Sequence, residues 1–400
     1  GLVRTKEING FRHDCTGHFL HFKNKAKKEF VESLIAPVKL LKIERKSYIY
    51  TRDRYVPYPF QSHIYYLPES VRRRCLVEFL NIRQKNRDLP YGSFYDWMVR
   101  EYGKGIVEEF MLPYNRKMWT VHPEKLTLQW MGRYVPTPEP EEIIAGIVSE
   151  GISAEGYNAL FYYPEGGIGL LGEKLAEKVS NITYNVRVQK VDTSKKEVLA
   201  GGKKYSYDKL INTAPLKEFA SKILSPANKK LLNAAEKLTH SSLLYFSIAW
   251  EGGTGPGLPA GSHWIYFPQE EFKFYRVGFP SNLDAGLAPE GASSAYVEIS
   301  YPPDELPSKE NISIIKREVV DKLISLEVIP GLESVIHVDD NIIENSYVIY
   351  DKNWGKSRRK IIGELESREI YTGGRYGGWE YSAMEDALNW GEKLAESCLK

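Results

Sequence analysis

Three clusters in the 400-residue sequence hold residue types able to do chemistry. The first is Gly373-Gly374-Arg375-Tyr376-Gly377-Gly378. Its glycines let the backbone approach a ligand closely, and its arginine offers a planar fork of donors suited to a phosphate or another anion. The same residues would also make a C-terminal turn with a solvent-facing arginine. The second cluster is Thr16-Gly17-His18-Phe19-Leu20-His21. Two histidines three apart could ligate a metal from one helix face, but the flanking sequence is not helical and brings no acidic partner at the right spacing. A ligand-facing His18 and a structural histidine with its hydrogen bonds satisfied inside the fold both stay open. The third cluster joins Tyr114-Asn115-Arg116-Lys117-Met118-Trp119 to Arg133, fourteen residues after Trp119, and to Phe274-Tyr275-Arg276. Arginines pair bidentately with phosphate oxygens while Trp and Tyr give a flat face for a base or sugar. The competing reading makes Trp119 core and leaves the arginines solvated. No Ser/His/Asp or Cys/His nucleophile is evident, and no Walker-type loop.

Placing these clusters needs strands and helices. Asn9-Gly10 predicts a tight turn in an N-terminal hairpin. A helix is expected over 23–35, a strand over 43–56 stopped by Pro57-Tyr58-Pro59, and mostly helix from 69 to 118. A proline-rich connection follows Arg133, and Gly166-Gly167-Ile168-Gly169 feeds an amphipathic helix. Strands are expected over 182–191 and 195–207, and an apolar strand then runs from Leu210 into a loop at Pro215, as at the rim of a ligand crevice in an open α/β sheet. Further strands cover 243–250 and 295–301, with a polar helix over 312–326. At the C-terminus a strand over 369–372, the glycine loop and a helix over 384–399 form an anion-ready order, because a helix start presents unpaired N–H groups.

The composition bounds the chemistry. Apolar residues make 42% and charged residues 26%, so the chain is an ordinary globular protein with room for a core. Its net charge of +2 provides no general field for a nucleic acid, and any bound anion must meet a local cluster. Three scattered cysteines indicate neither a disulfide framework nor a metal site, which fits a reducing cytoplasm. No apolar run is long enough for a transmembrane segment. The 27 tyrosines and 8 tryptophans include several beside Arg, Gly and Pro, where aromatic rings serve as stacking and hydrogen-bonding surfaces.

Gly10-Phe11-Arg12-His13-Asp14-Cys15-Thr16-Gly17-His18, the strand end from Tyr207-Asp208 to Pro215-Leu216, and Gly374-Arg375-Tyr376-Gly377-Gly378-Trp379-Glu380-Tyr381-Ser382-Ala383-Met384-Glu385 together resemble the FAD-dependent amine oxidase superfamily. Within it they are most similar to the UDP-galactopyranose mutases and their mutase-like relatives. The resemblance implies an α/β, mixed α+β architecture with a Rossmann-like FAD-binding fold. That fold would be built from 1–22, 166–235 and 365–400, with a helical lobe and substrate-binding segment over 23–165 and an antiparallel-sheet substrate domain over 236–364. It implies FAD contacts from Thr16, Gly17, His18, Val186, Thr213, Gly374, Arg375, Met384 and Glu385. Substrate contacts would come from Trp119, Arg133, Arg276, Tyr347 and Tyr381, with His18 and Arg276 nearest the chemistry. In that family reduced FAD attacks the anomeric carbon of a nucleotide sugar and holds the sugar while its ring opens and recloses.

Two departures qualify these expectations. Ala383 stands where the mutase pattern has an aspartate, and Val348 replaces the proline of its Tyr-Pro pair, so the sugar contacts are expected to differ. The family's opening strand, G-x-G-x-x-G loop, helix and acidic strand end are also absent; Gly1-Leu2-Val3-Arg4-Thr5 resembles the segment just after that unit. Roughly thirty to forty residues, one βαβ unit, are expected to be missing, so this chain should hold FAD weakly or not at all. An oxidase of the amine or protoporphyrinogen oxidase type is the enzymatic alternative, and a non-catalytic nucleotide-sugar binder is the other. NAD(P)H as reductant and a homodimer stay open as partners.

Overall fold

The computed structural model describes residues 1–84, 89–132, 135, 139–150 and 159–399. Its N-terminal strands Thr5–Ile8 and Phe11–Asp14 pair antiparallel across Asn9 and Gly10. Both turn residues have left-handed φ (52° and 81°), the two-residue turn whose twist matches that of the strands. The hairpin is pinned by Asp14, whose carboxylate accepts from the Thr5 hydroxyl at 2.6 Å, the Tyr163 hydroxyl at 2.6 Å and the Ile168 N–H at 3.2 Å. Burial pushes the Asp14 carboxyl up to about 6, against the pull of these donors.

The main body is a seven-stranded sheet in the order Val335–Val348, His240–Glu251, Ala292–Tyr301, Arg276–Gly278, Trp264–Tyr266, Ser47–Thr51 and Arg54–Pro57. All neighbours run antiparallel except Trp264–Tyr266 with Ser47–Thr51. His240–Glu251 is buried along almost its whole length because both faces are covered. Leu244, Phe246, Ile248 and Trp250 share a core with Ile312, Ile315, Val319 and Leu323 of the helix Lys309–Ser325, while Leu243 and Tyr245 pack with Cys15, Tyr275 and Ile343. The second face therefore carries the loop that follows the hairpin to the middle of the sheet. Alternation of side chains along a strand makes this division.

The helices Glu69–Arg83, Phe94–Ile106, Leu112–Trp119 and Pro140–Val148 form the helical region, with their buried residues in one continuous core that includes Trp119 and Trp130. Opposite, Leu210–Asn212 pairs in parallel with Ile370–Thr372, and the helices Trp354–Glu366 and Met384–Leu399 pack on the latter strand. A small sheet of Leu224–Ser225, Val188–Asp192, Glu197–Ala200 and Lys203–Ser206 lies apart from this pair.

Several expected elements change. The strand expected over 182–191 begins only at Val188; positions 181–187 are exposed and carry no ladder, although Ile182, Tyr184 and Val186 are apolar. The expected strand over 195–207 is a hairpin turning at Gly201-Gly202. The stretch 43–56 holds parts of three strands, two of which extend the large sheet. Leu210–Asn212 is short and half open, with Ile211 45% exposed, rather than a buried strand. Cys15, Cys75 and Cys398 are all free thiols, and none of the described helices is long and apolar enough to cross a membrane.

Candidate functional site

The second face of the sheet, where the loop after the hairpin meets the C-terminal glycine loop, gathers most of the chemistry-bearing residues. Arg276 opens the strand Arg276–Gly278 and lies directly opposite Glu298 of Ala292–Tyr301. Glu298, 1% exposed, accepts from Arg276 Nε at 2.5 Å and from Nη2 at 2.8 Å. Burial opposes the guanidinium charge and the adjoining carboxylate more than offsets it, so Arg276 stays cationic.

Arg375 follows the strand Ile370–Thr372, one residue into a short turn of helix, Gly374–Gly377. Its Nη1 and Nη2 donate to the carbonyls of Ser382 at 3.1 Å and Ser346 at 2.8 Å, which ties the glycine loop to the end of Val335–Val348. The guanidinium stands 5.5 Å from the Tyr347 ring and 5.4 Å from the Tyr381 ring. Those two rings stack on each other with centroids 6.0 Å apart. Trp119 is fully buried beneath them, 5.6 Å from Tyr347 and 6.1 Å from Tyr381, with its indole N–H on Asn115 Oδ1 at 3.1 Å. It supports the tyrosine pair from the core rather than facing a cleft.

His18 completes the group. Burial first, then the charges of Arg375 and Arg276, push its imidazole down to about 4, so it is neutral at physiological pH. Its Nδ1 is buried without a hydrogen-bond partner. The neighbouring Gly17 cannot carry a side chain, because a Cβ there would lie 2.2 Å from the Tyr296 hydroxyl. A Cβ at Gly278 would lie 2.0 Å from the same ring, so Tyr296 is held between two glycines with its hydroxyl buried and unpartnered. Thr16, buried with φ 67°, makes the turn that presents His18.

The remaining sequence candidates lie elsewhere. Arg133 falls outside the described residues. Val186 is 38% exposed in the unpaired segment and Thr213 is exposed beyond Leu210–Asn212. Met384 packs against the small core around Leu20 and Val31. Glu385 is buried, and its carboxylate accepts from the N–H groups of Lys23 and Asn24, just ahead of the helix Lys25–Ile35. Gly374 has φ 75° and open space around it. Glu298 and Tyr296 were missed, although a single carboxylate inside Ala295-Tyr296-Val297-Glu298-Ile299 signals a buried charge that needs a cation. No group of three His, Cys, Asp or Glu residues suited to a metal occurs among the described residues.

Residues 102–396 match the family model for flavin-containing amine oxidoreductases, nearly three quarters of the chain. The chain belongs to this family. Among solved structures it is similar to a reduced UDP-galactopyranose mutase, with 28% identity, a TM-score of 0.85, and coverage of 95% of this chain and 81% of that one. The fold is shared with a protein assigned as a protoporphyrinogen oxidase from Exiguobacterium sp. 255-15 (14% identity, TM-score 0.74, 100% and 90% covered). It is also shared with a putrescine oxidase bound to putrescine (14% identity, TM-score 0.63, 100% and 91% covered). The mixed α/β architecture is thus that of the FAD-dependent oxidoreductases.

The described residues fit one end of a flavin dinucleotide and not the other. His18 and Arg375 lie near each other where the glycine loop meets the sheet, and the buried His18 Nδ1, without a side-chain partner, suits a ring-edge partner. For the pyrophosphate and adenosine, however, the parallel pair consists of two short strands, and the glycine loop after Ile370–Thr372 opens only the four-residue turn of helix Gly374–Gly377. The segment that would flank the adenosine, 181–187, is exposed and unpaired.

Proposed function

We propose that this chain is a nucleotide-sugar-binding member of the mutase-like group, with the site formed by Arg276, Arg375, Tyr347, Tyr381 and His18. The observation that carries this reading is the nearness of two arginines and two tyrosine side chains on one partly buried surface. Arg276, Glu298 and Arg375 leave the cluster one positive charge in excess, and His18 adds none because it is neutral. An anionic diphosphate suits that balance. An amine oxidase substrate would call for apolar walls, whereas guanidinium and phenol groups gather here.

The chain's own residues then act in defined ways. Arg375, held by two backbone carbonyls, offers the rest of its fork to phosphate oxygens. Arg276 offers the edge that Glu298 leaves free, and the phenols of Tyr347 and Tyr381 donate to the same oxygens. These contacts would strengthen as negative charge builds on a departing diphosphate, so the cluster would stabilise that leaving group where a nucleophile, reduced FAD in the mutases, forms the new bond to the anomeric carbon. The similarity to the mutase supports a UDP-sugar as the ligand, and FAD as the cofactor at the ring end of the site. Because the dinucleotide end is not provided for, we expect the 400-residue chain to purify with little or no flavin, and tight stoichiometric FAD would refute that expectation. UDP binding followed by calorimetry tests the site: Arg276→Lys, which keeps the charge beside Glu298 but loses the fork, should weaken UDP at least about tenfold, or 1.4 kcal/mol. Unchanged affinity would remove this reading.

A further inference from the structure

The helix Lys229–Glu236 packs along the helix Trp354–Glu366, with Leu231, Ala234 and Ala235 of the first and Ile361 and Leu365 of the second in the main core. Their outer sides are strongly cationic. Lys229, Lys230 and Lys237 at the first helix and Lys356, Arg359 and Lys360 on the second are all exposed, and none forms an ion pair with a described residue. The exposed carboxylates of the two helices are Glu236 and Glu366. Arg358 and Glu364 do not alter the balance: Arg358 turns inward to the Gly378 carbonyl and Glu380, and Glu364 is taken by Arg368 and Asn228. Six cations thus stand against two carboxylates on one pair of helices, in a chain whose total excess is only two charges.

The same surface lacks what other partners would need. None of the exposed large apolar side chains falls within 229–237 or 354–366, and no aromatic residue at these positions is exposed. Five of the six cations are lysines, whose ammonium groups act as mobile point charges on flexible stems, and only Arg359 offers a fixed fork. Other exposed lysines without an ion pair, such as Lys42, Lys104, Lys178 and Lys203, are scattered over other parts of the fold.

We infer that this two-helix face rests on the anionic surface of a lipid bilayer. Clustered lysines suit a headgroup layer, whose negative charge is spread over a plane and asks for no fixed geometry. A nucleic-acid strand is held instead by a groove that tracks its backbone and by aromatic faces that stack its bases, and these helices expose no such faces. With no apolar side chain to insert, the contact lies at the headgroups and is electrostatic throughout, so salt should dissolve it. It also needs no spanning element, in keeping with the described helices. The inference stands apart from the nucleotide-diphosphate reading, since none of the six cations belongs to the arginine–tyrosine cluster.

The test is co-sedimentation of the 400-residue protein with vesicles of phosphatidylcholine alone and of phosphatidylcholine with about one third phosphatidylserine. Binding is expected to the mixed vesicles only, and raising the salt from about 50 to about 500 mM should weaken it about tenfold or more. The variant Lys229→Gln, Lys230→Gln, Lys356→Gln, Lys360→Gln, all at exposed positions, should keep the melting temperature and UDP affinity and lose vesicle affinity about tenfold or more. The variant Lys42→Gln, Lys104→Gln, Lys178→Gln, Lys203→Gln removes the same charge from other parts of the surface and should bind vesicles as the wild type does. No binding to the mixed vesicles at low salt, or an equal loss in the two variants, would overturn the assignment. Binding of poly(A) that exceeds vesicle binding and disappears in the first variant would give the face to a nucleic acid and overturn it as well.

Discussion

Glu298 occupies two of the five N–H donors of Arg276, so it both fixes the arginine and competes with any anion that reaches it. Removing one partner of such a buried pair strands the other, at a cost of about 3–5 kcal/mol. Arg276→Ala should therefore lower the melting temperature sharply, which is why the lysine variant is the cleaner probe of binding. Glu298→Gln keeps the shape and removes the competing charge. It should tighten UDP binding several-fold in a calorimetric titration, and weaker binding would mean that Glu298 orients the ligand rather than opposing it. Gly17 makes a separate point about packing. Gly17→Ala forces a methyl group into the end of the Tyr296 ring, and overpacking of this kind costs about 1–3 kcal/mol. Thermal unfolding of Gly17→Ala, Tyr296→Leu and the double variant checks this: the double variant should be more stable than the sum of the single effects predicts. Strict additivity would show that the glycine is not required by that ring.

Among the elements, the helix Leu112–Trp119 and the segment 267–274 are joined by one side chain. Lys117 Nζ lies within hydrogen-bond distance of four carbonyls and can serve up to three of them at a time: Phe267 at 2.7 Å, Gln269 at 3.0 Å, Phe272 at 2.7 Å and Phe274 at 2.6 Å. This segment leads directly into Tyr275 and Arg276, so the Lys117 amine, whose pKa burial lowers to about 7, positions the strand that carries Arg276. Lys117→Met strands several carbonyls at once, each costing about 1–3 kcal/mol if buried and unmade. We expect a large fall in melting temperature and a weaker UDP site, and wild-type values for both would contradict this positioning role. Lys117 stood in the sequence within a cluster considered for ligand binding; nothing in its neighbours showed that its partners were backbone groups some 150 residues away. Elements with strong local signals were legible, such as the Asn9-Gly10 hairpin and the helices over 69–118. Val335–Val348 was not, because Asp339, Asp340 and Glu344 interrupt its apolar pattern at the edge of the sheet, where charges are tolerated. The resemblance named Arg276, Arg375, Tyr347 and Tyr381, and the structure brings these side chains near one another. The roles of Trp119 and Glu385 in packing and helix capping depended on tertiary contacts that no local pattern encodes.

For the whole molecule, buried titratable groups set the response to acid. His13, His18 and His263 are each pushed down to about 4, first by burial and then by neighbouring charge. Protons bind these histidines more readily in the unfolded chain, so their contribution is complete above about 6.5 and is lost as pH falls toward 4. Asp14 works the other way: raised to about 6, it contributes most below its unfolded value and loses that contribution as pH rises through 6. Three histidines against one carboxyl predict a net loss of stability between pH 6.5 and 4, measurable as a falling urea midpoint; a rising midpoint over that range would contradict these burials. The same architecture brings Arg276, Arg375, Tyr347 and Tyr381 near one another. On the function proposed above, the arginine–tyrosine cluster recognises a nucleotide diphosphate. The direct measurement is calorimetric titration of UDP into the wild-type chain and into the Tyr347→Phe, Tyr381→Phe double variant, which retains the rings and loses only the hydroxyls. Saturable one-to-one binding that weakens about tenfold or more in the variant is the predicted result. No UDP binding by the wild-type chain, or equal affinity in both proteins, would contradict it.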